Sequence, residues 1–319
     1  MTQTLLTLRL DAMRREADGV LSLELARPDG SPLPPAEAGA HIDLHLPNGL
    51  VRSYSLITPR CTPRAYVVAA LLDRASRGGS LYIHQQLRVG AELPVSPPRN
   101  HFRLEENVGQ TVLIAGGIGI TPIYSMYARM RALERPVSLL YCARAREQAA
   151  LADDIARGGL PIDWHIDAEA GCPPKLADYL RRFPADSHFY CCGPTAMLDS
   201  FEQSCAELGL HNVHVERFAA KPAAPAADAA RAPYEVVLAK SGRKLSVASG
   251  QSLHDALQAN GVKVDYSCKE GICGACETRV LDGEPDHRDS VLSPAERQAG
   301  KTMMVCVSGC KSRQLVLDL

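Results

Sequence analysis

The sequence predicts a multidomain chain in three parts: an antiparallel β-barrel, an α/β unit built on a parallel sheet, and a small α+β unit. Three observations carry this reading. Short period-two runs fill residues 4–105, strand-like and helix-like stretches alternate over 111–216, and an Ala/Pro-rich stretch divides these from a cysteine-rich end. With 319 residues, 46% hydrophobic and 22% charged, the chain is long enough for more than one core.

The barrel, over 1–106, is read from TLRLDAM, VLSLELA, HIDLHLP, RSYSLI and AYVVAALL. Alternating apolar and polar residues bury one face of a strand, and turn residues fall between the runs, at Pro28-Asp29-Gly30, Pro34-Pro35 and Pro47-Asn48-Gly49. The α/β unit covers 107–218. TVLIA precedes a helix near 122–134, VSLLYCA one near 147–157 and SHFYCC one near 195–208, and the strand NVHVE ends the series. Such alternation gives parallel strands covered by helices. Residues 219–233, AAKPAAPAADAARAP, have no hydrophobic periodicity, and Pro222, Pro225 and Pro233 oppose a helix, so they read as a linker. Residues 234–319 begin with two β-like runs around Ser241-Gly242. A helix follows from Ser252 to Ala259, then the cysteine loop and the strands ETRVLDG and QLVLDL.

Charge and composition exclude several classes. Lys and Arg (35) balance Asp and Glu (36), whereas phosphate neutralisation on nucleic acid needs a basic excess. No apolar run approaches the ~18 residues of a membrane span, and the start of the chain lacks the pattern of a secretion signal. The expectation is a cytoplasmic protein with neither a nucleic-acid nor a membrane partner.

Eleven cysteines in such a chain argue against a disulfide framework. Cys268, Cys273, Cys276, Cys306 and Cys310 crowd its end. The spacing Cys268-x4-Cys273-x2-Cys276, with Cys306 following after 29 residues, matches the plant-type [2Fe–2S] ligand pattern. Three of four thiolates must then come from one tight loop whose backbone N–H groups turn toward sulfur, for which Gly271, Gly274 and Ala275 supply small side chains and unusual dihedrals. Zinc is the alternative, but structural zinc sites pair their C-x2-C knuckles and here only one exists. Cys310 competes for the fourth position. Cys306 is favoured because it directly follows the apolar run Met303-Met304-Val305. The segment resembles a plant-type ferredoxin of β-grasp fold, although Lys and Arg balance Asp and Glu over 232–319 where free ferredoxins are acidic.

Ala115-Gly116-Gly117-Ile118-Gly119-Ile120-Thr121-Pro122 stands between an apolar strand and a helix. Glycines there let a pyrophosphate approach the backbone at a helix start, and Pro122 suits the first turn. It departs from GxGxxG, because Pro122 takes the third glycine's place. A second turn, Cys192-Gly193-Pro194, follows a later strand, and Arg52-Ser53-Tyr54-Ser55 precedes both. Together these resemble the ferredoxin–NADP reductase superfamily. With the ferredoxin segment at the end, the whole chain resembles the phthalate dioxygenase reductase family and, within it, the vanillate O-demethylase reductases.

The resemblance implies roles. Arg52 would pair with a flavin phosphate while Tyr54 and Ser55 line the ring. Arg77-Gly78-Gly79-Ser80 would be a second phosphate-binding turn, and Phe218 would stack on the flavin. Gly116, Gly117, Gly119 and Thr121 would receive the dinucleotide, and Cys192, Gly193 and Pro194 would lie near its nicotinamide, with Cys191 toward the core. FMN is expected rather than FAD. Leu71-Leu72 stands where the family often has a basic flavin contact. NADH is favoured over NADPH by resemblance, although Arg144-Ala145-Arg146 carries no acid at the strand tip and only Glu147 is near to reach a ribose. The implied function is the reductase component of a Rieske-type aromatic oxygenase or O-demethylase system in aromatic catabolism. Electrons would run from NADH through FMN and [2Fe–2S] to the oxygenase, with no acid–base triad, and docking would occur near Lys269, Glu270 and Ile272. A stand-alone NAD(P)H:acceptor reductase is the alternative, and a cluster-binding module without flavin a further one.

Overall fold

The computed structural model describes residues 4–159, 161–220 and 232–319; the expected linker falls largely outside them. The chain divides into two compact units, one ending at Phe218 and one running from Ala219 to Leu319, and each is described by itself.

The first unit opens with β1 (Leu6–Ala17), β2 (Val20–Ala26), β3 (His41–His45), β4 (Val51–Ser55), β5 (Ala65–Leu71) and β6 (Glu92–Val95), with α1 (Gly79–Gln85) between the last two. Among the described residues these strands form one antiparallel sheet in the order β4-β3-β6-β1-β2-β5. It closes on itself where Leu56, just past β4, bridges Val68 of β5, so the expected barrel is present. Alternation sets its core. Leu8, Leu10, Leu23, Leu25, Ile42, Leu44, Leu93 and Val95 point inward and are buried together. Gly19, at φ +72, makes the two-residue turn between β1 and β2.

The parallel sheet follows: β7 (Thr111–Gly116), α2 (Ile120–Ala132), β8 (Val137–Ala143), α3 (Ala152–Arg157), β9 (Asp163–Ile166), α4 (Asp167–Ala170), α5 (Leu176–Leu180), β10 (His188–Cys192), α6 (Thr195–Glu207) and β11 (Val213–Glu216). The order β11-β10-β7-β8-β9 has β7 at its centre. Thr111–Ala115 of β7 are buried, as a strand covered on both faces must be. The helix expected near 147–157 is shorter. Residues 146–148 make a 3-10 turn, and Leu151 buries its side chain in the left-handed region at φ +60, so α3 starts only at Ala152.

The second unit carries β12 (Tyr234–Leu238), β13 (Lys244–Val247), α7 (Leu253–Ala259), β14 (Glu277–Asp282), β15 (Pro285–Asp286), α8 (Pro294–Ala299), β16 (Thr302–Met304), β17 (Gly309–Cys310) and β18 (Gln314–Leu317). Among the described residues the main sheet has the order β13-β12-β18-β14-β16, with β12 and β18 parallel at its centre. Ser252 caps α7 by accepting the Asp255 N–H, and the helix buries Leu253, Ala256 and Leu257 against the sheet.

Candidate functional site

Three groups of sequence-predicted residues are placed by these elements. The first surrounds β4. Arg52 donates from Nη1 to the Val51 carbonyl (2.8 Å) and from Nη2 to the Arg77 carbonyl (3.4 Å), which brings it against the turn at 77–80. A Cβ on Gly79 would collide with the Arg52 side chain, and Gly78 holds φ +94. Both glycines are therefore required for the guanidinium to lie on this turn. The Ser80 hydroxyl donates to Ser76 Oγ (2.9 Å) and accepts the Asp73 N–H (3.2 Å), so it braces the turn. Burial pushes the Tyr54 phenol up to about 12 and keeps it neutral. Leu71, the last residue of β5, and Leu72 after it are both exposed.

The second group lies at the C-terminal edge of the parallel sheet, where open α/β sheets bind ligands. β7 ends at Gly116, residues 117–119 make a 3-10 turn with Gly117 at φ +54, and α2 begins at once. Thr121 Oγ donates to the Ile118 carbonyl (3.1 Å), and Tyr141 Oη donates to the Gly117 carbonyl (3.3 Å), which fixes the turn from both sides. The neighbouring strand β10 delivers Cys192-Gly193-Pro194, Pro194 standing at the N-cap of α6. The two turns touch: a Cβ on Gly193 would lie 3.1 Å from the Gly116 Cα, and one on Gly119 would collide with the Cys192 carbonyl. Gly116, Gly119 and Gly193 thus meet backbone to backbone.

Cys191 and Cys192 face opposite sides of β10, each in a different core cluster. Burial pushes both thiols well up, so neither is a ready thiolate. Arg217 is buried and paired with Glu202 (2.6 Å) and Asp199 (3.3 Å) of α6, which anchors the chain, and Phe218 beside it is 41% exposed.

One residue was not anticipated. Glu216 ends β11 directly across from Cys192. Its carboxyl accepts a hydrogen bond from the Ser55 hydroxyl, its Oε2 is buried without a partner, and burial raises it to about 8. The sequence signal was an acid at the C-terminal end of a parallel strand, next to the Arg217-Phe218 pair.

The third group lies in the second unit. Gly271 (φ +69) and Gly274 (φ +71) take the left-handed backbone expected of them; Ala275 does not, and Lys269 (φ +56) does. A Cβ on Gly271 would collide with Val307, just past Cys306. The thiols gather as two pairs. Cys268 and Cys273 share a hydrogen bond, and Cys276 Sγ lies 3.1 Å from Cys306 Sγ. The Cys273 thiol first, and then the backbone N–H groups of Ile272, Glu270 and Cys273, bring the Cys268 thiol down to about 6. Cys310 turns elsewhere, its Sγ 2.9 Å from the Ser312 carbonyl oxygen. Among the described residues, no three His, Cys, Asp or Glu side chains converge on a single metal position. Two thiol pairs suit a binuclear cluster, which takes two thiolates per iron, better than one tetrahedral zinc.

Among the described residues no helix is long and apolar enough to cross a membrane. Residues 236–311 match the model of the 2Fe-2S iron-sulfur cluster binding domain. The chain is 47% identical over 318 residues to a phenoxybenzoate dioxygenase subunit beta from Ectopseudomonas oleovorans, covering 100% of this chain and 98% of that protein. It is 42% identical to a vanillate O-demethylase oxidoreductase from a Pseudomonas species, covering 97% and 98% of the two chains. Among solved structures, an intact type IV self-sufficient cytochrome P450 monooxygenase aligns with TM-score 0.91 and 37% identity, over 99% of this chain but 41% of that one. A phthalate dioxygenase reductase, described as a modular structure for electron transfer from pyridine nucleotides to [2Fe-2S], aligns with TM-score 0.70 and 36% identity over 99% and 98% of the two chains. Matching that reductase end to end, the chain belongs to the phthalate dioxygenase reductase family of electron-transfer oxidoreductases.

Proposed function

We propose that this chain is the NADH-dependent reductase component of a Rieske-type aromatic oxygenase or O-demethylase system. Its domains are a barrel for FMN over 1–106, a nucleotide domain over 107–218, a linker over 219–233 and a [2Fe–2S] domain over 234–319. One observation carries the reading. A single chain joins two paired-thiol sets to a sheet edge where the turns at Gly116–Thr121 and Cys192–Pro194 meet backbone to backbone.

Bound FMN would supply two-electron acceptance from NADH and release of single electrons, and a bound cluster would supply one-electron transfer. The chain's own residues bind and orient. Arg52 and the turn at Arg77–Ser80 hold the FMN phosphate, with the room that Gly79 leaves filled by the Arg52 side chain. Tyr54 and Ser55 line the ring, and Phe218 offers an exposed ring to stack on it. Gly116, Gly117, Gly119 and Thr121 admit the pyrophosphate, and Cys192, Gly193 and Pro194 seat the nicotinamide. Glu216, neutral at pH 7, holds a proton beside Ser55 and keeps an uncompensated negative charge out of the site. Cys268, Cys273, Cys276 and Cys306 are the cluster ligands.

The test is electron delivery. Under anaerobic conditions, NADH with catalytic amounts of this protein should bleach the visible bands of a purified Rieske-type oxygenase component. No transfer to any such component would remove the partner assignment. The P450 alignment favours one second reading, a haem monooxygenase as acceptor, and reduction of a P450 in the same assay would mark it.

A further inference from the structure

β8 lies beside β7, whose end carries the Gly116–Thr121 turn. By the general rule for dinucleotide folds, a dinucleotide bound on that turn would present its adenosine ribose to the segment leaving β8, Arg144-Ala145-Arg146-Glu147. The segment is tied to the one after β9. The Ala168 N–H donates to the Arg144 carbonyl (3.0 Å), which holds the start of α4 against it. The Arg146 guanidinium grips Glu169 of α4 through both Nε (2.5 Å) and Nη2 (2.9 Å).

That geometry has a consequence for coenzyme choice. A guanidinium fork is the group best shaped to take a 2′-phosphate, and here a carboxylate takes it. Glu147 and Asp167 add two more carboxylates to the same strand ends, against Arg144 and Arg146. A ribose diol can donate to such acceptors, whereas a 2′-phosphate with about two negative charges meets repulsion. The Arg146 and Glu169 side chains are 62% and 53% exposed, so both are open to an arriving nucleotide.

We propose that Glu169 is a specificity-determining residue: by occupying Arg146 it sets the preference for NADH over NADPH. This rests on the nucleotide site proposed above. The pair is exposed, so the effect is one of modest size that salt weakens.

The experiment measures kcat/KM for NADH and NADPH with the full-length holoenzyme and ferricyanide as acceptor, in wild type, E169Q and the double variant R146Q/E169Q. At low ionic strength E169Q should raise kcat/KM for NADPH by about three- to tenfold and change NADH by less than about twofold. The gain should shrink near ~0.5 M salt and vanish in the double variant. An unchanged NADPH/NADH ratio in E169Q, or a gain that survives without Arg146, overturns the inference while NADH still drives the enzyme. A wild-type holoenzyme that oxidises neither coenzyme overturns the nucleotide site itself.

Discussion

The Ser55 hydroxyl donates a hydrogen bond to the carboxyl of Glu216, joining the last residue of β4 to the last residue of β11. Barrel and parallel sheet therefore meet at a polar contact made by the two strand ends that the proposed flavin and nucleotide sites share. Cys192 lies opposite Glu216 on the adjacent strand.

The ionisation of Glu216 follows from its burial. Its carboxyl stands at about 8 in the fold and 4.5 when free, so the folded chain binds this proton more tightly. Stability from this group is intact below about pH 4.5 and declines as pH rises toward about 8, by at most ~1.4 kcal/mol per pH unit. E216Q cannot ionise. Thermal melts from pH 5 to 9 should show wild type losing stability relative to E216Q across that window, and parallel curves would contradict the assignment.

For the thiols, C273S should abolish cluster absorbance and leave flavin-dependent dye reduction by NADH in place. C310S should keep the full cluster, because its Sγ lies against Ser312 and away from the two pairs. Iron and sulfide analysis together with the visible spectrum decides. A normal cluster in C273S, or its loss in a folded C310S, would reverse the ligand set.

Arg52 is expected to act on flavin alone. R52A removes a charge-assisted contact worth about 1.5–3 kcal/mol, so FMN should bind roughly 10- to 100-fold more weakly while iron content stays constant. Fluorimetric titration of released FMN measures this, and unchanged affinity would take the phosphate role from Arg52.

Gly119 tests the meeting of the two turns. In G119A the new Cβ collides with the Cys192 carbonyl, so one turn must move. NADH should then bleach the flavin at least about tenfold more slowly, while dithionite, which needs no binding site, reduces it normally. Equal NADH rates in G119A and wild type would show that the turn does not seat the coenzyme.

How much of this was legible in the sequence varies with the range of the forces involved. Barrel strands and the helices α2 and α6 announced themselves, because apolar periodicity over many residues reports a buried face. β9, four residues reading DWHI with Trp164 on the surface, carries no such pattern and is a strand because β8 pairs with it. β6 is equally short and is held between β1 and β3. The cysteine loop stood out at once, since three cysteines spaced x4 and x2 are a local pattern. The left-handed Lys269 within that loop was not legible, because a lysine carries no signal for positive φ. Glu216 was hidden for another reason: its burial and its Ser55 partner arise from strands far apart in the chain.

One polypeptide is expected to carry electrons from NADH through a flavin to a [2Fe–2S] cluster. The visible spectrum of the pure protein, followed during anaerobic titration with NADH, tests it most directly. Flavin bands superposed on a broad sulfur-to-iron absorption are expected, both bleaching as NADH is added. A spectrum without flavin, or one in which NADH bleaches neither component, would contradict it.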